Sequence, residues 1–166
     1  MKPMPTEHKL EVTTPGYREI VMTRVVDAPR PLVFDAFTRP ELIKRWLLGP
    51  DGWSMPVCEV DLRVGGAFHY VWHNDSNGME FGQRGVFREV VHPERIVHTE
   101  AFTDDWYSGE ALSTTTFVEH RGATTVTMTI LFESRQERDE ALESGMETGV
   151  AASYDRLSGI LAEGGV

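Results

Sequence analysis

The chain predicts an α+β fold: a curved antiparallel sheet with one long amphipathic helix across its concave face. Three observations lead there. A β-rich run at residues 18–26 is followed by two short, proline-bounded helical segments. Residues 55–132 then carry strand signals in succession, and residues 134–163 hold apolar side chains at helical spacing. Strands grouped together and flanked by helices, without alternation of strand and helix, build an antiparallel sheet covered on one face.

Residues 1–16 are polar and dotted with prolines, and read as a loose arm or an edge strand ahead of a single domain at 17–166. In REIVMTRVV, Ile20, Met22 and Val26 share one face at the two-residue period of a strand. DAPRPLVFDAF switches to helical spacing. Pro29 and Pro31 suit its first turn, and Val33, Phe34 and Phe37 form its apolar side. Pro40 ends that helix and opens a second, ELIKRWLL, which buries Leu42, Ile43 and Trp46.

Next come the strands MPVCEVDL, AFHYVWH, FGQRGVFREVV and RIVHTEAF. ALSTTTFVE and TTVTMTILF follow as a hairpin around HRGA, where Gly122 supplies the turn. The last segment opens with Ser134 and Glu137 at capping-box spacing. Leu142, Met146, Val150, Tyr154, Leu157 and Leu161 then recur every three or four residues as one stripe. Gly145 and Gly149 interrupt it, Gly145 as a candidate break between a short and a long helix, and Gly164 and Gly165 end it.

A length of 166 residues suits one domain that buries roughly 70% of its unfolded surface and needs no covalent staple. Cys58 is the sole cysteine, which fits a reducing cytoplasm and reads as a small strand residue. The first residues lack the apolar stretch of a secretory signal, and no run approaches the ~20 residues of a membrane span. With 26 acidic against 16 basic residues and a net charge of −10, the chain repels phosphate backbones. Nucleic acid and membrane insertion are therefore not expected, while a second copy of the chain stays a candidate partner.

VGGAFHYVWH carries His69 and His73 in an H-x-x-x-H spacing that on a helix would recommend zinc. On a strand the two rings lie about 13 Å apart, too far to share one ion, so no metal is expected. Alternation puts Phe68, Tyr70 and Trp72 on one face, aimed at the helix, and His69, Val71 and His73 on the other. In RIVHTEAF, Ile96, His98, Glu100 and Phe102 share a face opposite Val97, Thr99 and Ala101. If the first face is inward, His98 and Glu100 are polar groups in an apolar hollow, fit for ligand contact or acid/base work. If the second is inward, the pair is solvated. The row Thr125, Thr127 and Thr129 reads as a solvated face opposite Val126, Met128 and Ile130. Nucleophile elbow, phosphate loop and dinucleotide fingerprint are all missing, Ser153 and Ser158 lack a local base, and no cofactor is expected.

TRVVDAPRPLVFDAFTRPELIKRW, the VGGAF strand, GVFREVVHPERIVHTEAF and SGMETGVAASYDRLSGIL together resemble successive blocks of one family over roughly residues 17–163. It is the family of activator of heat-shock protein 90 ATPase homologues, within the START-like group that includes polyketide cyclases. The resemblance implies the helix-grip fold, with a cavity between the sheet and the long C-terminal helix. Two positions depart from the family's habit. Trp46 is followed by Leu47 and Leu48 instead of a second tryptophan, and Val150 stands where the long helix often has a tryptophan. The co-chaperone members carry a further N-terminal domain that a sixteen-residue arm does not supply, so chaperone activation does not follow from the resemblance.

The candidate site is thus a hollow bounded on the sheet by Phe68, Tyr70, Trp72, His98, Phe102 and Met128, with Glu100 beside His98. Trp46, Trp106, Met146, Val150 and Tyr154 close it. The expected function is binding of a small, mostly apolar molecule, lipid- or polyketide-like, oriented by His98, Glu100 and Tyr154. Two alternatives stay open: a cyclase- or hydrolase-type enzyme using His98 and Glu100 as acid and base, and a chaperone-associated interaction module.

Overall fold

The structure, a computed structural model, describes residues 8–102 and 109–163. Among them the chain forms β1 (Glu11–Thr13), β2 (Glu19–Val26), α1 (Arg30–Thr38), α2 (Pro40–Trp46), β3 (Trp53–Val60) and β4 (Ala67–Asn74). β5 (Glu80–Val91), β6 (Arg95–Phe102), β7 (Ala111–His120), β8 (Ala123–Leu131), α3 (Arg135–Glu143) and α4 (Met146–Ala162) complete it. The eight strands make one antiparallel sheet in the order β1-β2-β8-β7-β6-β5-β4-β3. Neighbours in the sheet are neighbours in the chain except where β2 meets β8, so α1 and α2 form the crossover.

The expected elements appear with small shifts of boundary. β1 takes the edge-strand option for part of the N-terminal arm, pairing Val12 with Met22. Ser134 caps α3 by accepting the Glu137 N–H at 3.1 Å. The C-terminal segment is two helices, because Gly145 turns the backbone to φ 85°, a conformation that side-chain-bearing residues rarely adopt. Leu142 therefore belongs to α3 and joins a core under β2 and β8, whereas Tyr154 and Leu157 of α4 belong to the main core. Gly164 and Gly165 lie outside the described residues.

β2 holds a difference of another kind. Arg24 points inward with Ile20, Met22 and Val26 and is only 5% exposed. It is accommodated because α4 meets it with partners: Arg24 Nη1 lies 2.8 Å from Asp155 Oδ1, and Nη2 donates to Ser158 Oγ at 3.4 Å. A buried guanidinium paired in this way ties the sheet to the helix.

β5 passes very close to its neighbours at Gly85. A Cβ there would overlap the Thr99 carbonyl oxygen and the edge of the Phe68 ring. Phe68 lies over the glycine and fills the place a side chain would take. Gly85→Ala must displace either backbone or ring, so we expect it to destabilise the fold by about 2–3 kcal/mol. Urea denaturation measures this, and an unchanged midpoint would contradict the packing described.

Candidate functional site

Between the sheet's inner face and the N-terminal half of α4 lies a cavity of about 440 Å³. It falls within the range of roughly 300–1,000 Å³ usual for small-molecule sites. Its walls follow from strand periodicity. Alternate residues of β4 and β5 bring Tyr70, Trp72, Phe81 and Phe87 to it, and Met128 and Ile130 arrive from β8. Opposite them, α2 contributes Trp46, and α4 contributes Met146, Val150 and Tyr154.

One end is closed by residues 47–50, held from both sides. The Trp72 indole N–H donates to the Leu47 carbonyl at 2.7 Å, while the Gly49 N–H donates to Ser153 Oγ at 2.8 Å. Arg156 Nη1 adds a bond to the Gly49 carbonyl at 3.0 Å. Ser153 is thus engaged as an acceptor in a structural contact.

β6 supplies the polar wall. Its Ile96, His98, Glu100 and Phe102 all face the cavity, which decides between the two orientations left open by the sequence. His98 and Glu100 do not pair with each other. His98 Nδ1 lies 3.0 Å from the Thr99 carbonyl oxygen, which can only accept, so Nδ1 carries the proton. Burial lowers the pKa of His98, leaving a neutral ring whose Nε2 is an acceptor. Glu100 is 7% exposed and accepts from Gln83 Nε2 at 3.1 Å. Burial outweighs that bond and pushes the carboxyl up to about 7. The chamber therefore contains an acid that ionises near neutrality beside a neutral imidazole.

Of the residues expected from sequence, Trp46, Tyr70, Trp72, His98, Glu100, Phe102, Met128, Met146, Val150 and Tyr154 come together around this cavity. Phe68 does not join them. Its ring is spent covering Gly85, one layer behind, where it packs edge-on against His98 with centroids 4.8 Å apart. Trp106 lies outside the described residues. The Tyr154 hydroxyl is buried with no hydrogen-bond partner among the described residues, and burial raises its pKa. Tyr70 is raised for the same main reason.

Sequence reasoning passed over Gln83, set between Gly82 and Arg84 in a glycine-punctuated stretch, and also Trp53, Phe81, Leu47 and Leu48. Continuing the β5 alternation through Phe81, Gln83 and Phe87 was the signal that would have found Gln83. His69 and His73 point away from the cavity to separate acidic partners, Glu59 at 3.9 Å and Glu80 at 3.0 Å. Cys58 is half-buried and not fully so, and burial pushes its thiol up to about 11, far from a reactive thiolate.

A curved open sheet wrapped around a C-terminal helix with a chamber between them is the helix-grip architecture of START-like proteins. Residues 27–162 match the family described as "Activator of Hsp90 ATPase homolog 1-like protein", and the chain belongs to that family. Solved structures agree. A Rhodobacter sphaeroides protein is 26% identical with a TM-score of 0.87, over 93% of this chain and 99% of its own. A Staphylococcus epidermidis protein is 27% identical (TM-score 0.78, 92% and 93% covered). One from Nitrosomonas europaea is 25% identical (TM-score 0.78, 90% and 97%). No curated protein matches the chain. Among the described residues no helix is long and apolar enough to cross a membrane.

The raised pKa of Glu100 has a consequence for stability. The folded state favours the protonated acid, so its contribution is fully present below the unfolded value of about 4.5 and is lost as pH rises through about 7. Glu100→Gln removes that dependence. Between pH ~4.5 and ~8 we expect the variant to gain about 3 kcal/mol relative to the wild type. Urea titrations of both proteins across the range check this, and parallel pH curves would refute it.

Proposed function

We propose that the protein binds a small, mostly apolar molecule in the chamber between sheet and α4. The observation that carries this reading is the cavity of about 440 Å³ walled mainly by aromatic and aliphatic side chains, with His98 and Glu100 of β6 among its few polar groups. Apolar walls remove a ligand from water, and a few fixed polar atoms orient it. Met128 and Met146 are unbranched and adapt to ligands of varied outline. Family membership supports the reading, because the START-like architecture places its cavity in this position.

A second reading has its own observation. A carboxyl at about 7 beside a neutral imidazole is suited to proton transfer, as in an enzyme of the cyclase or hydrolase type. The two readings part at Glu100→Gln, which keeps the shape and removes the titration. For a binding protein, affinity shifts severalfold and neither form consumes the ligand. For an enzyme, turnover of a cavity ligand falls by about a hundredfold without loss of binding.

The site itself is tested at Val150, half-buried on the cavity wall. Val150→Trp fills the space, and we expect affinity for the neutral fluorescent probe N-phenyl-1-naphthylamine to fall by about tenfold or more. Equal probe binding by a folded Val150→Trp protein would place the ligand elsewhere.

A further inference from the structure

We infer that the chamber selects an apolar amine, its cationic head held between Glu100 and His98 and its body among the aromatic rings. The inference rests on the binding reading above and names the class of ligand. It begins with the hydrogen-bonding character of the polar wall. His98 donates its Nδ1 proton to the Thr99 carbonyl, so it offers the ligand only the acceptor Nε2. Glu100 has one oxygen on the Gln83 amide. The carboxylate and the imidazole thus stand two residues apart on one face of β6, both as acceptors, and a ligand donor group satisfies both.

Charge points the same way. Among the described residues that line the cavity there is no lysine and no arginine. Arg24 is bound to Asp155, and Arg156 to Asp51 and the Gly49 carbonyl. A carboxylate or phosphate ligand would meet no countercharge, and beside Glu100 it would set two anions to share one proton. The chain's net charge of −10 further repels anions and attracts cations.

The walls suit a cation too. Trp46, Trp72, Phe81 and Tyr154 all line the cavity. Aromatic faces attract ammonium groups, most strongly where water is excluded. Tyr154, 2% exposed and on the same lining, has a hydroxyl without a partner among the described residues, a further polar group left for a ligand.

The groups facing Glu100 set its pH response. Gln83 on β5 bonds it and Tyr70 on β4 feels its charge, while His98 on β6, Thr115 on β7 and Tyr154 on α4 line the same cavity, none of them cationic at neutral pH. Ionisation of Glu100 near neutrality therefore switches on its hold on a cation, and amine affinity rises with pH until the amine itself deprotonates.

The test uses three probes of one shape: 4-phenylbutylamine, 4-phenylbutan-1-ol and 4-phenylbutyrate, titrated calorimetrically into the full chain. At pH ~8.5 we expect the amine, still charged, to bind about tenfold or more tighter than the alcohol, and the acid to bind weakest. At pH ~6 the amine's advantage falls below about threefold. In Glu100→Gln it falls below about threefold at both pH values while the alcohol still binds. Alcohol binding equal to or tighter than amine at the higher pH overturns the amine inference and leaves the apolar-binding reading standing. An amine preference that survives in Glu100→Gln overturns the role given to Glu100. Failure of all three probes to bind overturns both readings.

Discussion

The stacking of Trp46 on Tyr154 is the contact on which the rest of the molecule depends. Both rings are buried, with centroids 5.8 Å apart and planes within 15°. Trp46 is fixed by its indole N–H, which donates to the Ala36 carbonyl at 2.8 Å, and Phe37 packs against both rings. Two short helices and α4 are locked together there, and Arg24 ties the same stretch of α4 to β2 through Asp155 and Ser158. The C-terminal half of α4 is thereby fastened against the sheet. Its N-terminal half carries the small residues Gly149, packed against Gly49 and Pro50, and Val150, both on the cavity lining with Tyr70 and Trp72. The chamber is the consequence of a helix pinned at one end by large side chains and thinned at the other.

Burying Glu100 works against stability, since an acid in an apolar wall must either stay protonated or find countercharge. The Gln83 amide offsets only part of that penalty. His98 is held neutral by the same burial, with its Thr99 bond fixing which nitrogen keeps the proton. A core built for stability alone would carry apolar residues at both positions. Both stand on the chamber side of β6, where the proposed ligand would meet them.

Much of this was legible in the sequence, and the exceptions have physical causes. Strict alternation assigned the inward face of β4, because Phe68, Tyr70 and Trp72 alternate with histidines that water tolerates. β6 could not be assigned that way, since Ile96 and Phe102 mark one face as apolar and Val97 and Ala101 mark the other. Only the neighbouring strands settle it. Phe68 was misplaced because its destination is set by Gly85, a residue in another strand whose missing side chain draws the ring over it. Arg24 went unremarked on the inward face of β2 because its partners lie more than a hundred residues later in the chain. Local periodicity reports which way a side chain points; what meets it there is a long-range fact.

Binding in the chamber is tested by where an apolar molecule sits. The direct measurement is a two-dimensional ¹H–¹⁵N NMR titration that follows the indole N–H signals of Trp46, Trp53 and Trp72 as a neutral apolar probe is added. All three rings line the cavity, the N–H of Trp72 is held to the Leu47 carbonyl at its edge, and that of Trp46 to the Ala36 carbonyl behind it. With the probe in the chamber these signals shift together and saturate, while the amides of the exposed Val64 and Val118 stay in place. Shifts confined to Val64, Val118 and their surroundings, with the three indoles unmoved, would contradict binding there.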